Sequence, residues 1–295
     1  MGELILVGEH LHESQRYALA LSDEERCQII RQDIKVDTEH LLTVSNIVHN
    51  MLSIVRGSME APCLVVSAGS NHGKTTICNA VRGMDASWRH KVRYVTFVKD
   101  TEKTKPMAKL LSALGVDPGK GGVPISMVAE YCIANDIRGV FMDEFHDSIK
   151  GLSKGEQDTF LSLLRGLCGA PAYLSFFVFG IDEALNALAI DAQYVRRFEL
   201  YELTPWSKTD AEYLNFLDTW EEIVPLAKKS HLSSKPIADY IYGVTSGIIG
   251  NICSLLRAAA CLAVIWGDEK ITLKCLQAAN RSKWNTRVLP SEVDE

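Results

Sequence analysis

The sequence lacks an apolar stretch long enough to span a membrane, which would need about 20 consecutive apolar residues. Its most apolar segment runs from Ala258 to Trp266 and is flanked by Arg257 and Asp268. The opening Met1-Gly2-Glu3-Leu4 also lacks the basic start of a secretory signal. We therefore expect a soluble, cytoplasmic protein that has no membrane partner.

The 8 cysteines include no C-x-x-C pair, so neither a zinc site nor a disulfide framework is indicated. We expect reduced cysteines in the core. His10 and His12 could form a metal-binding pair, but exposed polar histidines are far more common and are what we expect here.

The sequence also lacks an excess of positive charge, because 31 lysines and arginines stand against 37 aspartates and glutamates, for a net charge of −6. This argues against a surface coated with basic groups for nucleic acid, although a local basic patch is still allowed. The chain is 47% hydrophobic, which is enough for one large core or two modest ones. We expect an α/β domain and a smaller second domain.

One stretch, from Cys63 to Thr76, organises the rest of the chain. Its first half is a short apolar run that is typical of a buried parallel strand. Its second half matches the phosphate-loop pattern G-x-x-x-x-G-K-[ST], with Ala68 in place of the first glycine. The predicted nucleotide-binding residues are Gly69, Ser70, Asn71, His72, Gly73, Lys74, Thr75 and Thr76.

The residue types of this loop fit polyphosphate binding, because small residues let backbone N–H groups approach the phosphates of ATP. Lys74 is expected to reach the β- and γ-phosphates, and the Thr75 hydroxyl to bind Mg²⁺. The alternative is a glycine-rich turn that caps an ordinary helix.

A second candidate motif ends the apolar strand predicted at 138–144 with two carboxylates, Asp143 and Glu144. Ligands bind at the carboxyl ends of parallel strands, so we expect Asp143 to hold Mg²⁺ and Glu144 to polarise the attacking water. The alternative is a polar strand end before a turn. We assign no catalytic role to His146 or Asp147, which a solvated loop explains equally well.

The remaining patterns predict five strands alternating with helices, followed by helices alone. Two capping boxes, Ser22 with Glu25 and Ser153 with Glu156, mark helix starts. The expected domains are an N-terminal arm (1–37), a nucleotide-binding α/β domain (38–205), a helical lid (206–281) and a loose tail (282–295). Three lysines follow the second strand: Lys103, Lys105 and Lys120. They are either ordinary solvent-exposed residues or they line a groove that binds the phosphate backbone of a nucleic acid.

These features together resemble the AAA+ ATPases, and several segments are similar to the TniB/TnsC family of transposition regulators. The segments that carry this narrower resemblance are Phe141 to His146, Phe179 to Ala184, Arg196 to Leu200, and Leu203 to Trp206. The resemblance covers about residues 38–280. It implies a P-loop NTPase fold, with a parallel five-stranded αβα sandwich followed by a small helical lid domain.

The family resemblance also implies an activity and partners. It implies ATP hydrolysis with Mg²⁺, assembly of rings or helical filaments on double-stranded DNA without sequence preference, and partnership with a transposase and a target-selection adaptor. Arg197, or otherwise Arg196, would act as an arginine finger on a neighbouring subunit, unless the two arginines only solvate the strand entrance.

Two departures from the AAA+ pattern favour slow, switch-like hydrolysis. Gly180-Ile181 offers no polar sensor after the fourth strand, and Asn251 or the more distant Arg257 stands where many relatives place a sensor arginine. Two alternatives remain open. One is a helicase loader or replication initiator, although no winged-helix domain is recognisable after the lid; the other is a scaffold that binds nucleotide without hydrolysing it.

Overall fold

The computed structural model describes residues 8–32, 36–57, 59–98, 104–119, 122–150, 152–181 and 196–283. They divide into two compact units. One is the α/β unit, Glu39–Thr204, and the other is the helical unit, which joins the described residues up to Thr38 with those from Pro205 onward. Lys103 and Lys120 lie outside the described residues.

The α/β unit is built on a five-stranded parallel sheet in the order β2-β3-β4-β1-β5. The strands are β1 (Cys63–Ser67), β2 (Val92–Thr96), β3 (Gly139–Asp143), β4 (Ser175–Gly180) and β5 (Phe198–Glu202). Central β1, β3 and β4 are buried along their whole length, as expected for strands covered by helices on both faces. The predicted α/β fold with a parallel five-stranded sheet is confirmed.

The helices in both units follow from apolar residues at helical spacing. Their bounds are α1 (Asp23–Arg31), α2 (Glu39–Ser53), α3 (Lys74–Met84), α4 (Pro106–Leu114), α5 (Ile125–Ala134), α6 (Phe145–Ile149), α7 (Lys154–Cys168), α8 (Ala211–Ile223), α9 (Lys235–Thr245), α10 (Ile249–Ile265) and α11 (Leu273–Arg281). A 3₁₀ helix, Glu13–Ala20, precedes α1.

The two faces of the sheet have separate cores because successive strand residues point to opposite faces. On one face Val65 of β1 packs with residues of α4, α5 and α7. On the other face Leu64 and Val66 pack with α2 and α3. This three-layer arrangement fixes α3, the helix that follows the candidate phosphate loop, against the centre of the sheet.

The helical unit has its own core around Trp220, Tyr213 and Leu255. The buried Glu221 carboxylate accepts hydrogen bonds from the backbone N–H groups of Ser230, His231 and Leu232, which satisfies a charge that would otherwise be costly to bury. In the described part of the chain, no helix is long and apolar enough to cross a membrane.

The N-terminal segment predicted as an arm packs within the helical unit. Cys27 and Ile30 of α1 lie in the core of that unit. The Arg26 guanidinium donates to both carboxylate oxygens of Glu269, at 2.8 and 2.6 Å. Sequence alone did not show this packing because Arg26 and Glu269 are 243 positions apart.

Candidate functional site

The loop after β1 has the backbone conformation that a phosphate cradle requires. Gly73 precedes α3 with φ of 83°, in the left-handed region that glycine adopts without steric cost, and Asn71 has φ of 64°. Among the described residues, no side chain caps the start of α3. The first-turn amides of α3 therefore face the loop, where an anion could accept their hydrogen bonds.

Lys74 lies inside this loop and not in solvent. Its side chain is buried, and Nζ donates to the carbonyl oxygens of Ala68 at 2.8 Å and Gly69 at 2.7 Å. These contacts hold a positive charge at the start of α3, adjacent to the amides. Both features favour an anionic ligand.

The departure from the phosphate-loop pattern at Ala68 has a structural explanation. The Ala68 methyl group lies in the core under α2 and α3, and its N–H donates to Gly180 at 3.2 Å. Ala68 thus continues the pairing of β1 with β4. The position with little room for a side chain is Gly69, because an added Cβ would lie 3.0 Å from the His72 ring.

The two carboxylates predicted for the site occupy different environments at the end of β3. Asp143 is 2% exposed, and its Oδ1 accepts a hydrogen bond of 2.9 Å from the Glu144 N–H. Glu144 is partly exposed and has φ of 52° and ψ of 39°. The left-handed backbone at Glu144 turns the chain directly into α6.

The sheet brings Lys74 and these carboxylates to one edge. Val178 of β4 pairs with Met142 of β3 on one side and Val65 of β1 on the other. The ends of β1 and β3 are therefore two strand spacings apart, about 10 Å. Consistent with this placement, burial and then the nearby Asp143 carboxylate raise the pKa of the Cys78 thiol on α3.

Two residues near the carboxylates had no role in the sequence-based prediction. Thr96 ends β2 directly opposite Asp143 in the strand register. His146 lies between two carboxylates, with Nδ1 3.4 Å from Glu144 and Nε2 3.7 Å from Asp147. The D-E-x-H spacing marks His146 in the sequence, but its orientation depends on the turn at Glu144.

The two candidate finger arginines lie at the opposite end of the sheet. The Arg197 carbonyl accepts a hydrogen bond from Cys63 N–H at the start of β1, whereas the phosphate loop follows the end of that strand. Arg197 is 18% exposed and its guanidinium pairs with Glu60 at 2.8 Å and donates to the Arg165 carbonyl at 3.3 Å. Arg196 is exposed.

Of the three lysines predicted to contact DNA, only Lys105 is among the described residues. Its side chain is 73% exposed, and Nζ lies 2.9 Å from a carboxylate oxygen of Glu156. Hydrogen bonds from Lys105 and Ser153 lower the pKa of Glu156 to about 2. Lys105 is thus accessible to a ligand, which would compete with Glu156 for it.

Three solved structures illustrate the proteins whose fold is similar to that of this chain. The Orc1 protein of Aeropyrum pernix in complex with DNA is 14% identical, with a TM-score of 0.53, over 87% of this chain and 69% of that one. Cdc6p from Pyrobaculum aerophilum is 15% identical, with a TM-score of 0.58, over 90% and 73%. The RuvB Holliday junction branch migration motor of Thermotoga maritima is 11% identical, with a TM-score of 0.52, over 86% and 73%.

These similarities show a shared fold, that of AAA+ P-loop ATPases, which confirms the predicted fold. No curated protein matches the sequence of this chain. The family model described as "Bacterial TniB protein" matches residues 26–208, which is more than half of the chain and includes both candidate motifs. The chain therefore belongs to the TniB family.

Proposed function

We propose that this protein is an ATP-dependent regulator of DNA transposition that assembles on target DNA and recruits or activates a transposase. The observation that carries the proposal is the placement of the Lys74 loop and the Asp143-Glu144 pair at one edge of the sheet. A polyphosphate bound at the start of α3 would lie at the same end of the sheet as these carboxylates.

In this proposal the residues around Lys74 bind ATP. The amides from Gly69 to Thr76 accommodate the phosphates, and the Lys74 ammonium moves from the loop carbonyls to the β- and γ-phosphate oxygens. Mg²⁺ would bind at Thr75 and Asp143 and neutralise phosphate charge. A hydroxyl and a carboxylate at the same end of the sheet fit a hard cation that prefers oxygen donors.

Glu144 is the proposed general base. It is partly exposed, so water can approach its carboxylate. Asp143, in contrast, is buried, and one of its carboxylate oxygens already accepts a hydrogen bond from the Glu144 N–H. Glu144 therefore orients the attacking water and accepts its proton.

The proposal includes duplex DNA and neighbouring subunits as partners. Family membership supports the link to transposition, and the structural neighbours include a protein solved with DNA. Lys103, Lys105 and Lys120 would contact phosphates, and Arg197 or Arg196 would reach a neighbour's γ-phosphate. Arg197 can do so only after leaving Glu60, whereas Arg196 is already exposed.

Two other functions have some support. The likeness to Orc1 and Cdc6p favours a helicase loader or an initiator. The absence of a polar side chain at Gly180-Ile181 favours a scaffold that binds ATP without turnover. ATP turnover measured with and without duplex DNA separates the scaffold from an ATPase.

Electron microscopy with Glu144→Gln tests the proposed function directly. Glutamine is nearly isosteric with glutamate but cannot accept the proton, so the variant should bind ATP, fail to hydrolyse it and remain assembled on duplex DNA. With ATP, the Glu144→Gln protein should form filaments or rings on duplex DNA that persist. Those formed by the wild-type protein should disassemble as ATP is consumed. Wild-type turnover in Glu144→Gln would rule out Glu144 as the base, and no assembly on DNA would contradict the regulator model.

A further inference from the structure

The His146 imidazole on α6 occupies a confined position between two carboxylates, that of Glu144 just before the helix and that of Asp147 within it. Its side chain is only 10% exposed. Nδ1 lies 3.4 Å from Oε2 of Glu144, and Nε2 lies 3.7 Å from Oδ1 of Asp147. The second carboxylate has a further cationic neighbour, because Lys150 Nζ lies 4.0 Å from the same Asp147 oxygen.

The Nδ1 atom of His146 has no hydrogen-bond partner with good geometry among the described residues, although it is buried. A buried polar nitrogen without a partner destabilises the folded state, so its position needs an explanation. The carboxylate of Glu144 is within reach but not aligned. Hydrogen bonds between catalytic groups are commonly long and poorly aligned before substrate closes the site.

The backbone holds the histidine in this position. Glu144 adopts a left-handed conformation, and the buried ring of Phe145 packs against Phe97 and Phe160, with centroids 6.0 and 6.2 Å away. The fixed Phe145 side chain sets the orientation of α6. Residue 146 therefore lies beside the Glu144 carboxylate and not in solvent.

We propose that His146 is a positioning residue for Glu144, an inference that rests on the proposed ATPase function. Nδ1 carries the hydrogen and donates it to Oε2 of Glu144, because a contact between Nδ1 and a carboxylate is attractive only in that protonation state. The Asp147 carboxylate, 3.7 Å from Nε2, is too far away to accept a hydrogen bond and only bounds the other side of the ring. One carboxylate oxygen of Glu144 is then fixed, and the other faces the attacking water.

Three variants of His146 separate this role from a merely structural one. Asparagine places an amide N–H near the position of Nδ1, glutamine places one near Nε2, and alanine removes both donors. We expect His146→Ala to lower kcat for ATP hydrolysis by about 10- to 100-fold, the effect of a misplaced catalytic group, with KM and ATP affinity changed less than about twofold. His146→Asn should recover most of the rate, and His146→Gln should not.

His49 provides a matched control in the same unit. Its Nδ1 lies 3.5 Å from a carboxylate oxygen of Asp85, and its side chain is 55% exposed on α2. His49→Ala should therefore leave kcat unchanged. A His146→Ala variant that hydrolyses ATP at the wild-type rate, or a glutamine variant as active as the asparagine variant, would overturn the proposal.

A nitrogen NMR measurement keeps the inference separate from the ATPase proposal. In ¹⁵N-histidine-labelled protein, the His146 signal should show a protonated Nδ1, and Glu144→Ala should shift it while leaving the His49 signal in place. If the wild-type protein does not hydrolyse ATP but this response occurs, the contact stands and the proposed hydrolysis fails. A His146 signal that does not respond to Glu144→Ala overturns the contact itself.

Discussion

At the residue scale, Lys74 occupies the most demanding position in the candidate site. A buried ammonium is tolerated only where hydrogen bonds compensate for lost solvation, and here two loop carbonyls do so. These two carbonyls directly follow β1, at the beginning of the loop. Removal of the ammonium would leave both carbonyls without that donor and the site without its positive charge.

We expect Lys74→Ala to weaken ATP binding by about 100-fold or more, because charge-assisted hydrogen bonds to phosphate contribute about 1.5–3 kcal/mol each. Titration with a fluorescent ATP analogue measures the change. Lys228→Ala is a matched control, since Lys228 Nζ also donates to a backbone carbonyl, that of Asp268 at 3.2 Å, in the helical unit. Unchanged ATP affinity in a folded Lys74→Ala protein would remove the basis for the site assignment.

The residues of the candidate site were predictable where the signal is local. Lys74 and Asp143 follow apolar strands within a few positions, so a short window of sequence contains the whole motif. The pairing of Arg197 with Glu60 was not predictable, because it joins residues 137 positions apart. Only the fold brings them together, at the amino end of β1.

At the element scale, the start of α7 shows how a local sequence pattern determines a boundary. Ser153 Oγ accepts a hydrogen bond from the Glu156 N–H, and the Glu156 carboxylate accepts from the Ser153 N–H at 3.0 Å. This capping box satisfies orphan donors of the first turn. The same carboxylate also accepts from Lys105 at 2.9 Å.

Ser153→Ala should destabilise the α/β unit by about 1 kcal/mol, the usual cost of losing a serine N-cap. Urea unfolding followed by circular dichroism measures the loss. Ser162→Ala in the middle of α7 is the control, since alanine is favoured there and no cap is removed. Equal stabilities for the two variants would mean that the capping box does not stabilise α7.

The contribution of this capping box should also depend on pH. Lys105, then Ser153, lowers the pKa of Glu156 from 4.5 to about 2, so the ionised carboxylate favours the folded state. Its stabilisation is fully present above pH 4.5 and is lost as the pH falls toward 2. The difference in unfolding midpoint between wild type and Ser153→Ala should therefore shrink across that range.

The types of the elements were predictable because the spacing of apolar residues and the capping residues can be read within a short segment. Several element boundaries were not predictable. Both capping boxes, at Ser22 and Ser153, are present as predicted. The start of β4 at Ser175 is one example of a boundary that was not predictable. Its limits depend on pairing with β1 and β3, which a single segment of sequence does not contain.

At the scale of the whole molecule, strand order and the N-terminal packing depend on contacts between distant segments. The sequence patterns predict five strands but not their order, because the placement of β4 between β1 and β3 depends on pairing between distant segments. Residues 8–32 join the helical unit because α1 buries Cys27 and Ile30 against segments over 200 positions away.

The proposed DNA binding would be a property of the whole molecule, since several lysines would contact one duplex. If Lys103, Lys105 and Lys120 each contact a phosphate, every replacement should reduce the slope of log affinity against log salt by about one unit. Affinity should fall evenly across sequences. Fluorescence anisotropy with ATP at several salt concentrations tests this expectation, and an unaltered slope in the triple alanine variant would place the DNA contacts elsewhere.

Lys208→Ala is a suitable control for the DNA measurement. Lys208 is an exposed lysine in the helical unit, and its Nζ lies 3.1 Å from the Asp239 carboxylate, so this ion pair resembles the one between Lys105 and Glu156. Its replacement should leave the salt slope unchanged. An equal loss of slope in this variant would show that the effect is one of net charge and not of specific contacts.

A shared active site is the last expectation at this scale. Each chain contains Lys74 and Glu144 at one end of the sheet and Arg197 at the other. Since β1 spans about 16 Å, the finger cannot readily serve the site of its own chain. With no polar side chain at Ile181 to neutralise charge on the γ-phosphate, a neighbour's arginine is the expected source.

Two inactive proteins should therefore restore activity when mixed. Glu144→Gln retains its finger and Arg197→Ala retains its base, so interfaces that join an intact base to an intact finger should hydrolyse ATP. Glu60→Gln, which removes the carboxylate partner of Arg197, should instead raise the rate because the guanidinium is released. Arg196→Ala, mixed in the same way, identifies which arginine acts. If rate per subunit is constant on dilution and neither mixture recovers activity, both arginines have only local roles, and the assembly does not complete the site.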